Sequence, residues 1–198
     1  MIILKSLDDP LLADLFKSGR VGIMPTDTIY GLAAAAGNPE AVRQITNLKQ
    51  GGGQYSPGTV VAANVGQLIS LGVDETTVRQ VQHLWPNPLS IELPIGEGLR
   101  HLYQDGAHRA FRVVANDQLR ALLEKTGPLL TSSVNLHGQP AANNLEEALE
   151  YFSDKVDFCV DGGDLSGHPP STVARFRDGR LEVLRQGAVK IDDSGQIV

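Results

Sequence analysis

The chain has 198 residues, with 23 acidic and 17 basic side chains and a formal net charge of −6. Hydrophobic residues make up 41% and charged residues 20%, a globular composition that excludes a fibre or a disordered tail. The single cysteine, Cys159, excludes an internal disulfide framework and a multi-cysteine zinc site. The acidic balance argues against wrapping nucleic acid by bulk charge, so any RNA binding would rest on a local basic patch and weaken with salt. Length fits one domain over residues 1–198, with its core from about residue 5 to about residue 190. Met1-Ile2-Ile3-Leu4 is apolar but stops at Lys5, too short for a signal-peptide core. No stretch approaches the roughly 18 apolar residues of a membrane span, and the expectation is a cytoplasmic protein with no membrane partner.

In chain order, residues 2–4 read as a short strand. Asp9 caps a helix with Pro10 at its first position, and Gly19 ends it. Residues 21–24 read as a buried strand running into the loop Pro25-Thr26-Asp27-Thr28. Asn38-Pro39 opens a helix whose apolar positions Ala41, Val42, Ile45 and Leu48 keep helical spacing up to Lys49. Gly51-Gly52-Gly53 breaks it. Residues 59–63 are a strand, 74–84 a helix capped by Asp74, and 89–93 and 109–114 strands. Residues 117–126 form a helix stopped by Gly127-Pro128, and 129–132 a strand. Asn144 caps a helix over residues 145–152, with Glu147 in capping-box position. Strands follow at 156–160, 172–176 and 181–184, the last two as a hairpin about Asp178-Gly179. Helices and strands mixed in this way point to an α/β fold around a twisted mixed sheet.

Several residues could carry chemistry. The loop after residue 24 presents two hydroxyls and a carboxylate at the end of a buried strand, where open α/β sheets place ligands; it is also good turn chemistry. Thr131-Ser132-Ser133-Val134-Asn135 repeats that arrangement, and such short polar groups suit a phosphate or carboxylate. Arg112 lies in mid-strand between Phe111 and Val113. It is either exposed on one face, or turned inward and paired with an internal carboxylate or a ligand. Lys49 and Arg185 also edge apolar stretches. The triglycine offers backbone N–H groups but matches no Walker or dinucleotide fingerprint. The five histidines lack zinc spacing, and Gly106 argues against a helix that would bring His101, Asp105 and His108 to one face. Cys159 reads as core and Trp85-Pro86-Asn87-Pro88 as a rigid turn.

Taken together, these segments resemble the YrdC-like family, the threonylcarbamoyl-AMP synthases, over nearly the whole chain and in motif order. The residues that carry the resemblance are Pro25-Thr26-Asp27-Thr28-Ile29-Tyr30-Gly31-Leu32, Leu48-Lys49-Gln50, Trp85-Pro86-Asn87-Pro88-Leu89-Ser90 and Ala110-Phe111-Arg112-Val113. Ser132-Ser133-Val134-Asn135-Leu136-His137-Gly138, Ser171-Thr172-Val173 and Arg185-Gln186-Gly187 complete the set. The resemblance implies a single-domain YrdC/RibB-like fold: a twisted mixed open sheet, helices on its faces and a large central cavity. It implies ATP-dependent synthesis of L-threonylcarbamoyl-AMP from L-threonine, bicarbonate and ATP, with release of pyrophosphate. The product would serve tRNA threonylcarbamoyladenosine modification, so tRNA or tRNA-modification proteins are implied partners, and Mg2+ would accompany the ATP.

Carried over by motif position, Thr28, Arg112, Ser132 and Ser171 would bind threonine or its carbamate. Lys49, Ser133, Asn135 and Arg185 would bind the nucleotide, with Lys49 and Arg112 as the catalytic cations. One departure stands out: the arginine of the family's Lys-x-Arg motif is Gly51 here, and Gln54-Tyr55-Ser56-Pro57 follows. The alternative it raises is a catalytically weak YrdC-like paralogue that binds nucleotide or RNA. A carbamoyl-transfer domain like that of hydrogenase maturation proteins is a third expectation, without the zinc-finger or acylphosphatase segment that accompanies it there.

Overall fold

Strand segments separated by amphipathic helices collapse here onto one sheet, covered on both faces. The computed structural model describes residues 1–50, 58–102 and 108–198. Gly51-Gly52-Gly53, the segment after it, Asp105 and Gly106 lie outside the described residues. The strands are β1 (Ile2–Leu4), β2 (Gly22–Pro25), β3 (Tyr30–Ala35), β4 (Thr59–Ala62) and β5 (Leu89–Pro94). They continue with β6 (His108–Val113), β7 (Leu129–Ser133), β8 (Phe158–Val160), β9 (Thr172–Arg177) and β10 (Arg180–Arg185). The helices are α1 (Pro10–Lys17), α2 (Pro39–Gln50), α3 (Val65–Leu71), α4 (Glu75–Val81), α5 (Asp117–Thr126) and α6 (Leu145–Phe152).

All ten strands join one open sheet in the order β1-β8-β2-β3-β7-β4-β6-β5-β9-β10. Parallel pairs (β1/β8, β4/β6, β5/β9) alternate with antiparallel ones (β2/β3, β3/β7, β5/β6), which makes it mixed. Helices α1 and α5 cover one face with Leu12, Phe16, Leu119 and Leu123. Ala41, Ile45, Leu68, Val78 and Phe152, from α2, α3, α4 and α6, cover the other. Phe16 is fully buried and meets Phe158 edge to face at 5.1 Å. Full burial of a ring of that size stabilises by about 1.5–3 kcal/mol. Among the described residues no helix is long and apolar enough to cross a membrane.

Local chemistry sets the element ends. Asp9, Asn64, Asp74, Asn116 and Asn144 each accept a backbone N–H in the first turn of their helix. Glu147 completes a variant of the capping box, its carboxylate receiving the Asn143 N–H at 2.8 Å. Asp178 and Gly179 both take positive φ, 50° and 78°, which matches the twist of the tight hairpin between β9 and β10.

β3, α3 and the 3-10 segment Glu97–Leu102 go beyond the expected elements, and the helix over 74–84 and the strand over 156–160 differ in extent, the latter being Phe158–Val160. β3 is Tyr-Gly-Leu-Ala-Ala-Ala, poor in β-branched residues, and is a strand because β2 and β7 pair with it on both sides. The short helix α3 contains Gly66 and rests on its Asn64 cap. The helix expected over residues 74–84 is α4 followed by a 3-10 turn, Gln82–Leu84. The turn at Trp85-Pro86 is as expected, with a cis bond and the indole Nε1–H donating to the Leu89 carbonyl at 2.8 Å.

Cys159 is fully buried in β8, and burial pushes its thiol up to about 11. At pH 8 the thiolate fraction is then roughly one thousandth. A disulfide reagent should leave the native protein unmodified for hours and label it at once in urea. Native labelling at the rate of a small free thiol would contradict this burial.

Candidate functional site

The site forms where one end of the central strands meets the β9–β10 hairpin. β2 delivers Thr26-Asp27-Thr28-Ile29, which turns directly into β3. The Thr26 hydroxyl donates to the Ile29 carbonyl at 2.7 Å and accepts the N–H groups of Thr28 and Ile29. The segment is therefore both a stitched turn and a ligand wall, and Thr28 lines an open cleft of about 650 Å³ counted out to its mouth. Tyr30 anchors the base of this wall. Its hydroxyl donates to the Gly163 carbonyl at 2.9 Å and accepts from Gly162 N–H at 2.7 Å, and burial raises its pKa.

Arg112 is turned inward and only 3% exposed. The internal carboxylate it meets is Asp27: Arg112 Nη2 donates to Asp27 Oδ1 at 2.7 Å, with the Asp27 side chain 7% exposed. Arg112 Nη1 donates to Ser90 Oγ at 3.3 Å. A chain of hydroxyls continues from there, with Thr59 donating to Ser90 and Ser90 to Ser171, each at 3.2 Å. Two atoms of the ion pair stay buried without a partner, Arg112 Nε and Asp27 Oδ2. The pair is thus half satisfied, as expected where a ligand is to complete it.

Arg185, from the end of β10, closes the opposite side. Its Nη2 donates to the Ser171 carbonyl at 2.9 Å. The side chain is exposed at the cleft edge, yet partial desolvation first, and then the neighbouring Arg112 charge, lower the Arg185 pKa. Gly187 lets this segment press down: a Cβ there would lie 2.3 Å from the Pro170 carbonyl oxygen. Glu92 also faces the cleft but is matched by Arg175 at 2.7 Å. Among the described residues Asp27 is matched by Arg112 alone and Arg185 has no ion-pair partner, so the cleft carries a positive charge that no described carboxylate meets. Such a site favours an anion with planar, bidentate oxygens.

Of the residues singled out from the sequence, Thr28, Arg112, Ser132, Ser133, Ser171 and Arg185 come together on this cleft. Lys49 and Asn135 meet behind its β7 wall. The Lys49 ammonium, 1% exposed, donates to the carbonyls of Ser133 and Asn135 and to Asn135 Oδ1 at 2.7–2.8 Å. All three of its N–H bonds are spent on the protein. Ser133 Oγ donates to the same Asn135 Oδ1 at 2.7 Å, so Lys49 fixes the turn that presents Ser132 and Ser133. Asp27 and Ser90 join the site from the structure; the signal for Asp27 was the requirement of an inward Arg112 for a carboxylate. Among the described residues no three His, Cys, Asp or Glu side chains cluster as metal ligands.

Burial pushes the Lys49 ammonium down from its ordinary 10.5 to about 8. Between those values the unfolded chain holds a proton that the folded chain has released, so Lys49 makes stability rise as pH increases from about 8 toward 10.5. Lys49→Met should remove that rise: the wild-type minus variant difference in urea unfolding free energy should grow between pH 8 and pH 10. A difference independent of pH would show an ammonium held protonated by its three acceptors.

A family model described as "Telomere recombination", the Sua5/YciO/YrdC model, matches residues 14–187. The chain is 27% identical over 192 residues to a threonylcarbamoyl-AMP synthase of Pyrococcus abyssi, covering 95% of this chain and 56% of that protein. It is 29% identical over 181 residues to a threonylcarbamoyl-AMP synthase of Pseudoalteromonas atlantica, covering 87% of this chain and 94% of that one. Among solved structures, P. abyssi Sua5 complexed with L-threonine superposes with a TM-score of 0.81 at 26% identity, covering 96% of this chain and 58% of that one. E. coli YciO superposes with a TM-score of 0.76 at 25% identity, covering 94% of each. The chain thus spans little more than half of the P. abyssi proteins and nearly all of the shorter relatives. The family model covers most of the chain and the open mixed sheet is shared, and so the chain belongs to the Sua5/YciO/YrdC family.

Proposed function

We propose that the chain makes L-threonylcarbamoyl-AMP from L-threonine, bicarbonate and ATP, releasing pyrophosphate, for the modification of tRNA to threonylcarbamoyladenosine. The observation that carries this reading is the half-satisfied Arg112–Asp27 pair and the neighbouring Arg185, set beside a chain of hydroxyls on one cleft. Bicarbonate takes up a proton and loses water to give CO2; the threonine amine adds to that CO2 to form a carbamate and returns a proton; a carbamate oxygen then attacks the α-phosphorus, and pyrophosphate leaves. The threonine carboxylate, the carbamate and the triphosphate are brought together as anionic groups, so fixed cations and preorganised donors do the work and no protein nucleophile is needed.

In this reading Arg112 takes the carboxylate of threonine, with Ser171 and Thr28 beside it. Ser132 and Ser133 face the adenylate, on a turn that Lys49 and Asn135 hold in place. Arg185 lies between the two anions. Mg2+ would arrive with ATP, held chiefly by the phosphate oxygens, and would neutralise charge on the departing pyrophosphate.

The test is incubation of the protein with ATP, L-threonine and bicarbonate, assayed for pyrophosphate and the adenylate. Threonine-dependent release of both supports the synthase. Binding of ATP and threonine without release, beside a working relative, supports the weak paralogue that Gly51 raises.

A further inference from the structure

β6 carries two arginines on opposite faces of the sheet. Arg112 faces the cleft, while Arg109 alternates onto the face of Phe111, which α2 covers. Arg109 is 3% exposed, and its Nε and Nη1 are buried without an acceptor. Among the described residues it makes no ion pair. A guanidinium cannot shed its proton to escape this, so the charge is kept at a cost unless an anion meets it.

The register shows where such an anion would lie. Ala110, Thr59 and Thr131 form one row across β6, β4 and β7. One step nearer the site, Arg109 shares a row with Gly58 and Ser132. Ser132 alternates onto the same face as Leu130 and also lines the cleft. Two strand spacings, on the order of 10 Å, separate Arg109 from Ser132. Lys49 is the other cation reaching this corner from α2, and its three N–H bonds are already used. Among the described residues, the buried side-chain donors left open on this side are those of Arg109.

We propose that Arg109 is a second anion-binding residue of the site, taking the polyphosphate of the nucleotide on the α2 side of the sheet. The identity of this ligand rests on the synthase reading; the anion site itself does not. Of the reactants, only the triphosphate is both extended and multiply charged. Two open N–H donors on opposite edges of one guanidinium suit the several oxygens of a polyphosphate rather than one carboxylate.

The experiment measures binding of inorganic tripolyphosphate, MgATP and L-threonine to wild type, Arg109→Met and Arg109→Lys, by calorimetry and thermal shift. In Arg109→Met, tripolyphosphate and ATP should each bind about tenfold more weakly, with threonine affinity unchanged. The unliganded Met variant should melt about 2–4 °C higher, because an unpaired buried charge is gone. Arg109→Lys should fall between, and it carries the test if the Met variant does not fold. Unchanged ATP and tripolyphosphate binding in both variants overturns the Arg109 site and leaves the synthase reading standing. Arg109-dependent tripolyphosphate binding without threonine-dependent pyrophosphate release supports the site and sinks the synthase. A wild type that binds neither polyanion overturns the Arg109 proposal.

Discussion

Arg112→Lys should weaken threonine binding by about 30-fold or more while leaving ATP affinity within about threefold. The guanidinium makes two contacts at once, Nη2 to Asp27 and Nη1 to Ser90, and holds Nε in reserve. A lysine ammonium in the same space can meet Asp27 but cannot also present a planar fork to a carboxylate. Each charge-assisted hydrogen bond lost is worth about 1.5–3 kcal/mol, which sets the size of the effect. Lysine is the informative change, because Arg112→Ala would leave Asp27 buried with no counter-charge and cost about 3–5 kcal/mol of stability. Calorimetric titration with threonine and with ATP separately gives both numbers. Equal losses for the two ligands would mean that Arg112 shapes the whole cleft, and an unchanged threonine affinity would remove it from the carboxylate.

What the sequence disclosed and what it withheld divide along physical lines. Caps and stops are local, so Asp9, Asn144 and Gly127 mark their helix ends without tertiary help. β3 is not local: three alanines and a glycine have no strand preference of their own, and only pairing with β2 and β7 extends them. The same limit applies at the site. Motif order brought six side chains to the cleft, because the strand ends that carry them share one end of the sheet. Orientation was less accessible. Lys49 could be placed at the end of α2, but its turn back onto Ser133 and Asn135 depends on where β7 ends in space. Arg112 allowed two inward readings, an internal carboxylate or a ligand, and the half-satisfied pair with Asp27 accommodates both.

That pair leads to the last expected result. Asp27→Asn should lower the melting temperature of the unliganded protein by about 10 °C, and millimolar threonine should restore much of the loss. Among the described residues the carboxylate is the one anion paired with Arg112, and Arg185 stands close enough for the Arg112 charge to depress its pKa. With Asn in place the hydrogen bond from Nη2 can survive, but the negative charge is gone and the buried Arg112 faces the neighbouring Arg185 without a carboxylate partner. Removing one partner of a buried pair costs about 3–5 kcal/mol, and each kcal/mol moves the midpoint of a chain this size by about 2–4 °C. A bound carboxylate replaces the missing charge, so threonine should stabilise the variant by more degrees than it stabilises wild type. Threonine methyl ester, which lacks that charge, should not. The comparison separates compensation from simple packing: if the ester rescues as well as the acid, or if Asp27→Asn melts with wild type, then Asp27 does not balance the Arg112 charge. A larger shift with the acid alone would show that the substrate and Asp27 supply the same negative charge to one guanidinium.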